Sequence, residues 1–278
     1  MEIRVVRNLT KAARQTSIRE QAKKEKVDKT TISRILKKRG IKTYKKRARN
    51  LVSKDQKATR KKLCARYRKK YRQEDISRFV FVDECYVKVG EYLNAQNERC
   101  YGGNFECIPD QKRFREMPKS PITAMIFGAV WRAGRSKLVV LPSGFKLNKQ
   151  TYKDQCLIPL LKDVRKHIKQ KDMILYQDKA PCHVAESVQS FLAEKTPCFI
   201  EKDQIAPNSP DLNPLDYAIW SALKAALAKH NIVRNFEELK KLLIKEWNAL
   251  PRSLIHESID SWPKRCQRVE KSNGDQLE

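Results

Sequence analysis

The chain has 278 residues, 40% of them hydrophobic, and a formal net charge of +28. That length holds one large or two modest domains, and that apolar content builds a real core, which excludes a chain disordered throughout. So large a charge points to a polyanionic partner, and it is concentrated: residues 1–73 carry 28 Lys and Arg against 5 Asp and Glu.

Three short helical patterns open the chain, at Asn8 to Arg14, Ser17 to Glu25 and Lys29 to Arg39. Ser17-Ile18-Arg19-Glu20 is a capping-box pattern, Asp28 is placed to cap the third helix, and Gly40 stands where a helix stops in a left-handed conformation. Ile32, Ile35 and Leu36 make one inward stripe on the third helix. Its other face is Lys29, Thr30, Thr31, Ser33, Arg34, Lys37 and Lys38, a basic and hydroxyl surface suited to phosphates and base edges in a major groove. A lysine-rich face alone is commonly only solvated. The tight turn Lys26 to Asp28 between two capped helices is what points to a helix-turn-helix.

Ile41 to Arg49 has no helical period and is rich in cations, among them Lys45, Lys46 and Arg47; it reads as an extended linker tracking DNA backbone. With Lys37-Lys38-Arg39 it also fits a nuclear localisation signal, so the nucleus is the expected compartment. From Ser53 to Arg72 a helical pattern returns, with Leu63, Tyr67 and Tyr71 spaced by four. The expected organisation is a DNA-binding domain with its linker at 1–50, a connecting basic helix at 51–73 and a second domain at 74–278.

In that second domain, Arg78 to Glu84 is an apolar, β-rich run that ends on acids, as a central strand presenting Asp83 at its tip would. Further strands are expected at Tyr86 to Val89, Ile122 to Trp131 and Lys137 to Leu141. Asn148 to Gln170 is helical in pattern, with a kink at Pro159. Met173 to Asp178 repeats the motif of a buried strand closing on an acid, and the chain then turns through Ala180-Pro181-Cys182-His183 into another helix. Two strand-end carboxylates aimed at one point repel unless a divalent cation lies between them, and oxygen ligands suit magnesium. An Asp at a strand end is also a common turn former, so neither acid decides the matter alone.

A third acid comes from a proline-rich segment, Ala206 to Trp220, where a helix starts near Pro214 or Leu215 and puts Asp216 in its first turn. Asp211 is the rival, with capping or turn formation beside Pro210 as its expected role. His183, Tyr217, Trp220 and Trp131 read as structural or core residues.

Eight cysteines show no C-x-x-C pair and no histidine at finger spacing, which disfavours a zinc site. No secretory signal pattern is found, and the longest nearly apolar run, Ile122 to Trp131, is too short to span a bilayer. An intracellular chain with reduced thiols, no membrane partner and no small-molecule substrate is expected.

The blocks Val82-Asp83-Glu84, Gln177-Asp178-Lys179-Ala180-Pro181-Cys182-His183 and Asn208 to Tyr217 resemble, in order and spacing, the three signature blocks of mariner-like transposases of the Tc-mariner superfamily. The resemblance runs from about residue 8 to the end and includes the late helical segment Asn235 to Trp247. It implies an α-helical helix-turn-helix head followed by an α/β RNase H-like domain, a mixed central sheet flanked by helices. It further implies Asp83, Asp178 and Asp216 as catalytic and metal-binding acids holding two Mg2+ ions, with Mn2+ as a substitute, roughly 4 Å apart as two-metal phosphoryl transfer requires. The implied activity is cleavage at inverted-repeat ends of double-stranded DNA and joining into a TA target, by a homodimer.

Two departures stand out. Lys179 replaces the usual Asn or Gly, a cation placed to compete for Asp178 or to contact a phosphate, and the family's first helix-turn-helix would precede residue 1. They keep a catalytically inactive, transposase-derived DNA-binding protein as the alternative. An RNase H-like nuclease acting on RNA or hybrid duplexes is a further one, which the helix-turn-helix disfavours.

Overall fold

The computed structural model describes residues 1–10, 17–42, 51–88, 100–114, 122–196, 198–230 and 233–277. It divides into two compact units, Met1–Arg49 and Asn50–Glu278.

Three helices make the first unit: α1 (Glu2–Thr10), α2 (Ile18–Glu25) and α3 (Lys29–Lys38). Val5, Ala22, Ile32, Ile35 and Leu36 form its core, with Val27 and Ile41 packed against them. Ser17 Oγ accepts the Glu20 amide and Asp28 Oδ1 accepts the Thr30 amide, so both expected N-caps are made. Gly40 has φ +66°, and the Ile41 amide donates to the Leu36 carbonyl, closing α3 with a left-handed cap. Lys26 makes the tight turn with φ 52°. The first helix differs from expectation. It begins at Glu2, because burial of Val5 in the core overrides the weak helix propensity of a β-branched start. Residues 11–14 of the expected helix lie outside the described residues, as do Lys45, Lys46 and Arg47.

The second unit is built on a five-stranded mixed sheet in the order β3-β2-β1-β5, with β4 also paired to β2. The strands are β1 (Phe79–Lys88), β2 (Thr123–Trp131), β3 (Gly134–Arg135), β4 (Val139–Pro142) and β5 (Ile174–Tyr176). β1 runs antiparallel to β2 and parallel to β5. The two strands expected at Arg78 to Glu84 and Tyr86 to Val89 are therefore one, and Asp83 sits in mid-strand. Pairing with β2 carries β1 past its acids, out to Lys88.

The helices of this unit are α4 (Lys54–Lys70), α5 (Asp110–Arg113), α6 (Lys149–Thr151), α7 (Ile158–Val164), α8 (Glu186–Lys195), α9 (Trp220–Leu227), α10 (Phe236–Ala249) and α11 (Arg252–Lys271). Alternation of side chains along β1 feeds two cores. Phe79 and Phe81 pack with α4, α9, α10 and α11 through Tyr67, Trp220, Trp247 and Trp262. Val80 and Val82 pack on the other face with Tyr152, Leu160, Val164, Val188 and Leu192 of the 149–164 segment and α8. The helix α4, expected as a connector, buries Leu63, Cys64 and Tyr67 in the first of these cores, alongside α11. The kink expected at Pro159 is a π turn, Tyr152–Leu157, in which the Ile158 amide reaches back five residues to Lys153.

Candidate active site

Consecutive strand residues point to opposite faces of a sheet, so β1 delivers Asp83 and Glu84 to different cores. Asp83 meets α9, where the Trp220 indole N–H donates to its Oδ2 at 2.7 Å. Glu84 meets His183, whose Nε2 lies 3.0 Å from Oε1. Across the sheet, Asp83 pairs with Gly128 of β2. A Cβ there would stand 3.1 Å from the Trp247 ring and 3.2 Å from Trp220, so the glycine makes room for the indoles behind Asp83.

Asp178 arrives from β5. The last parallel pair is Phe81 with Tyr176, and Asp83 and Asp178 each lie two residues beyond it. The side-by-side placement expected from the sequence is met, although only β5 ends there. The Asp178 side chain is 54% exposed, whereas Asp83 is 6% exposed. One forms the rim of the site and the other its floor.

Asp216 occupies a π turn, Leu215–Ile219, that follows Pro214 and leads into α9. Asn213 fixes this turn. Its side-chain amide donates to the Val82 carbonyl at 3.0 Å, next to Asp83, and its Oδ1 accepts the Leu215 amide. Trp220, four residues past Asp216, binds Asp83 as described, so the third block is bound to β1 on both sides of Asp216.

Asp211 lies elsewhere. It is a buried anchor rather than a turn former: its two oxygens accept from Nη1 and Nη2 of Arg60 at 3.0 and 2.7 Å, and Oδ2 also accepts the Leu277 amide. Arg60 is fully buried and donates further to the carbonyls of Asn208 and Gly274. The proline-rich block is thus clamped between α4 and the 274–277 segment, and Asp211 is committed to that clamp.

The acids sense one another. Desolvation raises the Asp83 carboxyl well above its usual range, and repulsion from Asp216 and Glu84 adds to it. Asp216 is raised to about 6 by loss of hydration and by Asp178, although a hydrogen bond with Asp83 and the Lys224 cation pull the other way. Asp178 behaves oppositely. Desolvation pushes it up, but the hydrogen bond and charge of His183 and the Ala180 amide outweigh that and hold it low.

His183 is 1% exposed, with Nδ1 2.6 Å from Asp178 Oδ1 and Nε2 against Glu84. Its ring lies 4.1 Å from the ring of Tyr152, whose hydroxyl donates to Gln177 Oε1. Carboxylates accept and do not donate, so each ring nitrogen carries a proton and the imidazolium joins two acids. Burial lowers the imidazole's proton affinity, but its bonds to Asp178, Cys182 and Glu84 raise it well above the usual range. Lys179, expected to compete for Asp178 or to contact a phosphate, is exposed and makes no ion pair among the described residues.

Among the described residues no three His, Cys, Asp or Glu stand as a ready-made coordination set. Asp178 Oδ1 is bonded to His183, and Asp83 is held by Trp220 and Asp216. The donor chemistry nevertheless fits a hard divalent cation, since oxygen ligands that raise one another's proton affinity are relieved by positive charge.

In the sequence His183 reads as a structural group, and Glu84, Arg60 and Asn213 carry no expectation of these roles. Arg60 was legible in principle, because Arg60, Leu63, Cys64 and Tyr67 fall at i, i+3, i+4 and i+7 on one helical face. On α3, Lys29, Thr30, Ser33, Arg34, Lys37 and Lys38 are exposed and Thr31 is partly so, while Lys38 also pairs with Glu2.

No family model matches the chain. The Caenorhabditis elegans transposable element Tc1 transposase is 32% identical over 107 residues, 37% of this chain and 36% of the relative. The Tc3 transposase of the same organism is 25% identical over 182 residues, 61% of this chain and 53% of the relative. The chain thus spans about a third to a half of the length of these curated relatives. Among solved structures, the Mos1 transposase paired-end complex with left transposon end superposes with a TM-score of 0.78 at 22% identity, covering 100% of this chain and 80% of that one. The catalytic domain of Mos1 mariner transposase gives a TM-score of 0.64 at 22% identity over 84% of this chain and 100% of that one. Other Mos1 paired-end complexes were solved with Mg and with Mn. The fold is therefore a helix-turn-helix head with an RNase H-like domain, and over part of its length the sequence is similar to the Tc1 and Tc3 transposases.

Proposed function

We propose that the chain is a DNA transposase that cuts double-stranded DNA at inverted-repeat ends and joins the freed ends into TA target sites, acting as a homodimer in the nucleus. The observation that carries this reading is that Asp83, Asp178 and Asp216, from three separate elements, influence one another's carboxyls, Asp216 and Asp178 both raising that of Asp83. Asp83, Asp178 and Asp216 would hold two Mg2+ ions, or Mn2+. When bound, such a pair supplies charge neutralisation for the entering and leaving oxygens of phosphoryl displacement.

The chain's own residues set the frame. Trp220 fixes the rotamer of Asp83, Asn213 fixes the turn bearing Asp216, and His183 fixes Asp178 through one oxygen, leaving the other for a ligand. The exposed basic face of α3 would bind the end duplex, with Arg34 and Lys37 on its outward side and Lys45, Lys46 and Arg47 following it.

The test is cleavage of a duplex carrying the inverted repeats that flank the coding sequence, with and without Mg2+, by the wild-type chain and by Asp83→Asn, Asp178→Asn and Asp216→Asn. Mg2+-dependent nicking by the wild type alone is the expected result. Duplex binding without cleavage would leave a transposase-derived DNA-binding protein, and preferential cutting of an RNA–DNA hybrid would indicate a different nuclease.

A further inference from the structure

The nine cations of α4 are sorted between its faces. On the side toward α11, Lys57 pairs with Asp275 at 2.7 Å, Lys61 donates to Asn273 at 2.9 Å, Arg68 pairs with Glu270 and Arg60 is buried on Asp211. On the opposite side Lys62, Arg66 and Lys69 are exposed and have no ion pair among the described residues. They line an open concavity of about 530 Å³ together with Ala65 and Lys70, and Lys70 lies over the Tyr71 ring.

At about 100° per residue these three cations share an arc of roughly 60°, and at 1.5 Å per residue they span about 10 Å of helix axis. Asp55, the one acid of α4, lies on the same side about 10 Å further toward the N-terminus. Three like charges held side by side repel, and here the pairing that neutralises the other face is missing. A duplex strand offers a phosphate about every 3.4 Å of axis, so a 10 Å row matches about three consecutive phosphates.

We infer that the outward face of α4, formed by Lys62, Arg66 and Lys69, is a second DNA-binding surface that grips the phosphate backbone of duplex DNA, separate from the base-reading face of α3. It rests on the DNA-processing reading above. Lys62 and Lys69 are flexible point charges, and the Arg66 guanidinium suits a phosphate as well as a base edge, so the face contributes affinity without sequence preference. Its location follows from Arg60: the residue that clamps the third acid's block from one side of α4 fixes the helix that displays the cations on the other.

The experiment compares the full-length wild type with Lys62→Gln/Arg66→Gln/Lys69→Gln, measuring duplex affinity from 50 to 200 mM salt on end and unrelated sequences. Three lost phosphate contacts lower the slope of log affinity against log salt by about 2.7, so the wild type should lose roughly forty-fold more affinity than the variant across that range. The effect should be equal on both sequences. All three positions are exposed, so an unchanged unfolding midpoint confirms an intact fold; a parallel Arg34→Gln variant should instead weaken end binding selectively. An unaltered slope in the triple variant, or one lowered only on single-stranded RNA or anionic vesicles, overturns this inference while leaving the transposase reading intact. A wild type that binds no duplex at all overturns both.

Discussion

Arg60 and Asp211 form a doubly hydrogen-bonded ion pair sealed from solvent, and it sets the position of the segment that carries Asp216. Removing one partner of such a pair strands the other charge, at a cost of about 3–5 kcal/mol. Arg60→Met and Asp211→Asn should each lower unfolding stability by that order in urea titrations. The double variant should lose less than the two single losses summed, since neither charge is then left alone. Additive losses would show that the pair is not the coupling between α4 and the proline-rich block.

Asp216 and Asp211, five residues apart, should respond oppositely. Asp216→Asn removes a charge that raises the proton affinity of Asp83, so it should keep or slightly increase thermal stability while abolishing Mg2+-dependent cleavage. Asp211→Asn should lose stability first and cleavage only in proportion. Intact cleavage by Asp216→Asn would remove this residue from the site.

Much of this was legible in the sequence, because local rules and tertiary packing agree along most of the chain. The capped turn between α2 and α3, the run into Asp83 and the run into Asp178 each follow from periodicity and cap residues that packing then reinforces. The misjudged places are where a distant partner decides. β1 extends past Asp83 because β2 pairs with it to Lys88, and no local signal marks that register. Arg60 falls in the expected connecting basic helix, yet its partners lie 148 to 215 positions away. The bridge from Glu84 through His183 to Asp178 joins strand neighbours that alternate faces, which single motifs do not reveal.

Gly128 offers a test of the indole support behind Asp83. A methyl group there meets Trp247 and Trp220 at 3.1 and 3.2 Å, closer than side chains ordinarily pack. Gly128→Ala should cost about 1–3 kcal/mol through overpacking. If Trp220 gives way, cleavage should fall further than the stability loss explains, and Trp220→Phe, which keeps an aromatic ring but loses the N–H bond to Asp83, should show the same fall. Wild-type cleavage by Trp220→Phe would mean that the indole only fills space.

His183 should act through position. Outer partners that orient a metal-binding carboxylate are typically worth 10–100-fold in metal affinity. Calorimetric Mn2+ binding to His183→Ala should weaken by that range, and Glu84→Gln should weaken it less, because it leaves the contact between His183 and Asp178 in place. Unchanged Mn2+ affinity in His183→Ala would make the histidine a packing residue beneath Tyr152 and nothing more.

The raised carboxyl of Asp216 fixes the sign of a pH effect measurable in chelator. Its folded value of about 6 lies above the ordinary 3.8, so the proton binds the folded chain more tightly than the unfolded one. The resulting stabilisation is fully present below about pH 4 and is lost as pH rises through about 6. Asp83 is shifted in the same direction, whereas Asp178, held low by His183, contributes stability that disappears only as pH falls below its ordinary range. Asp216→Asn cannot ionise, so its unfolding midpoint should climb relative to wild type between pH 4 and 7. Mg2+ should close that gap from the wild-type side, because the cation replaces the proton among the acids. A wild-type minus variant difference that stays flat across this interval would mean that Asp216 does not share the electrostatic field of Asp83 and Asp178.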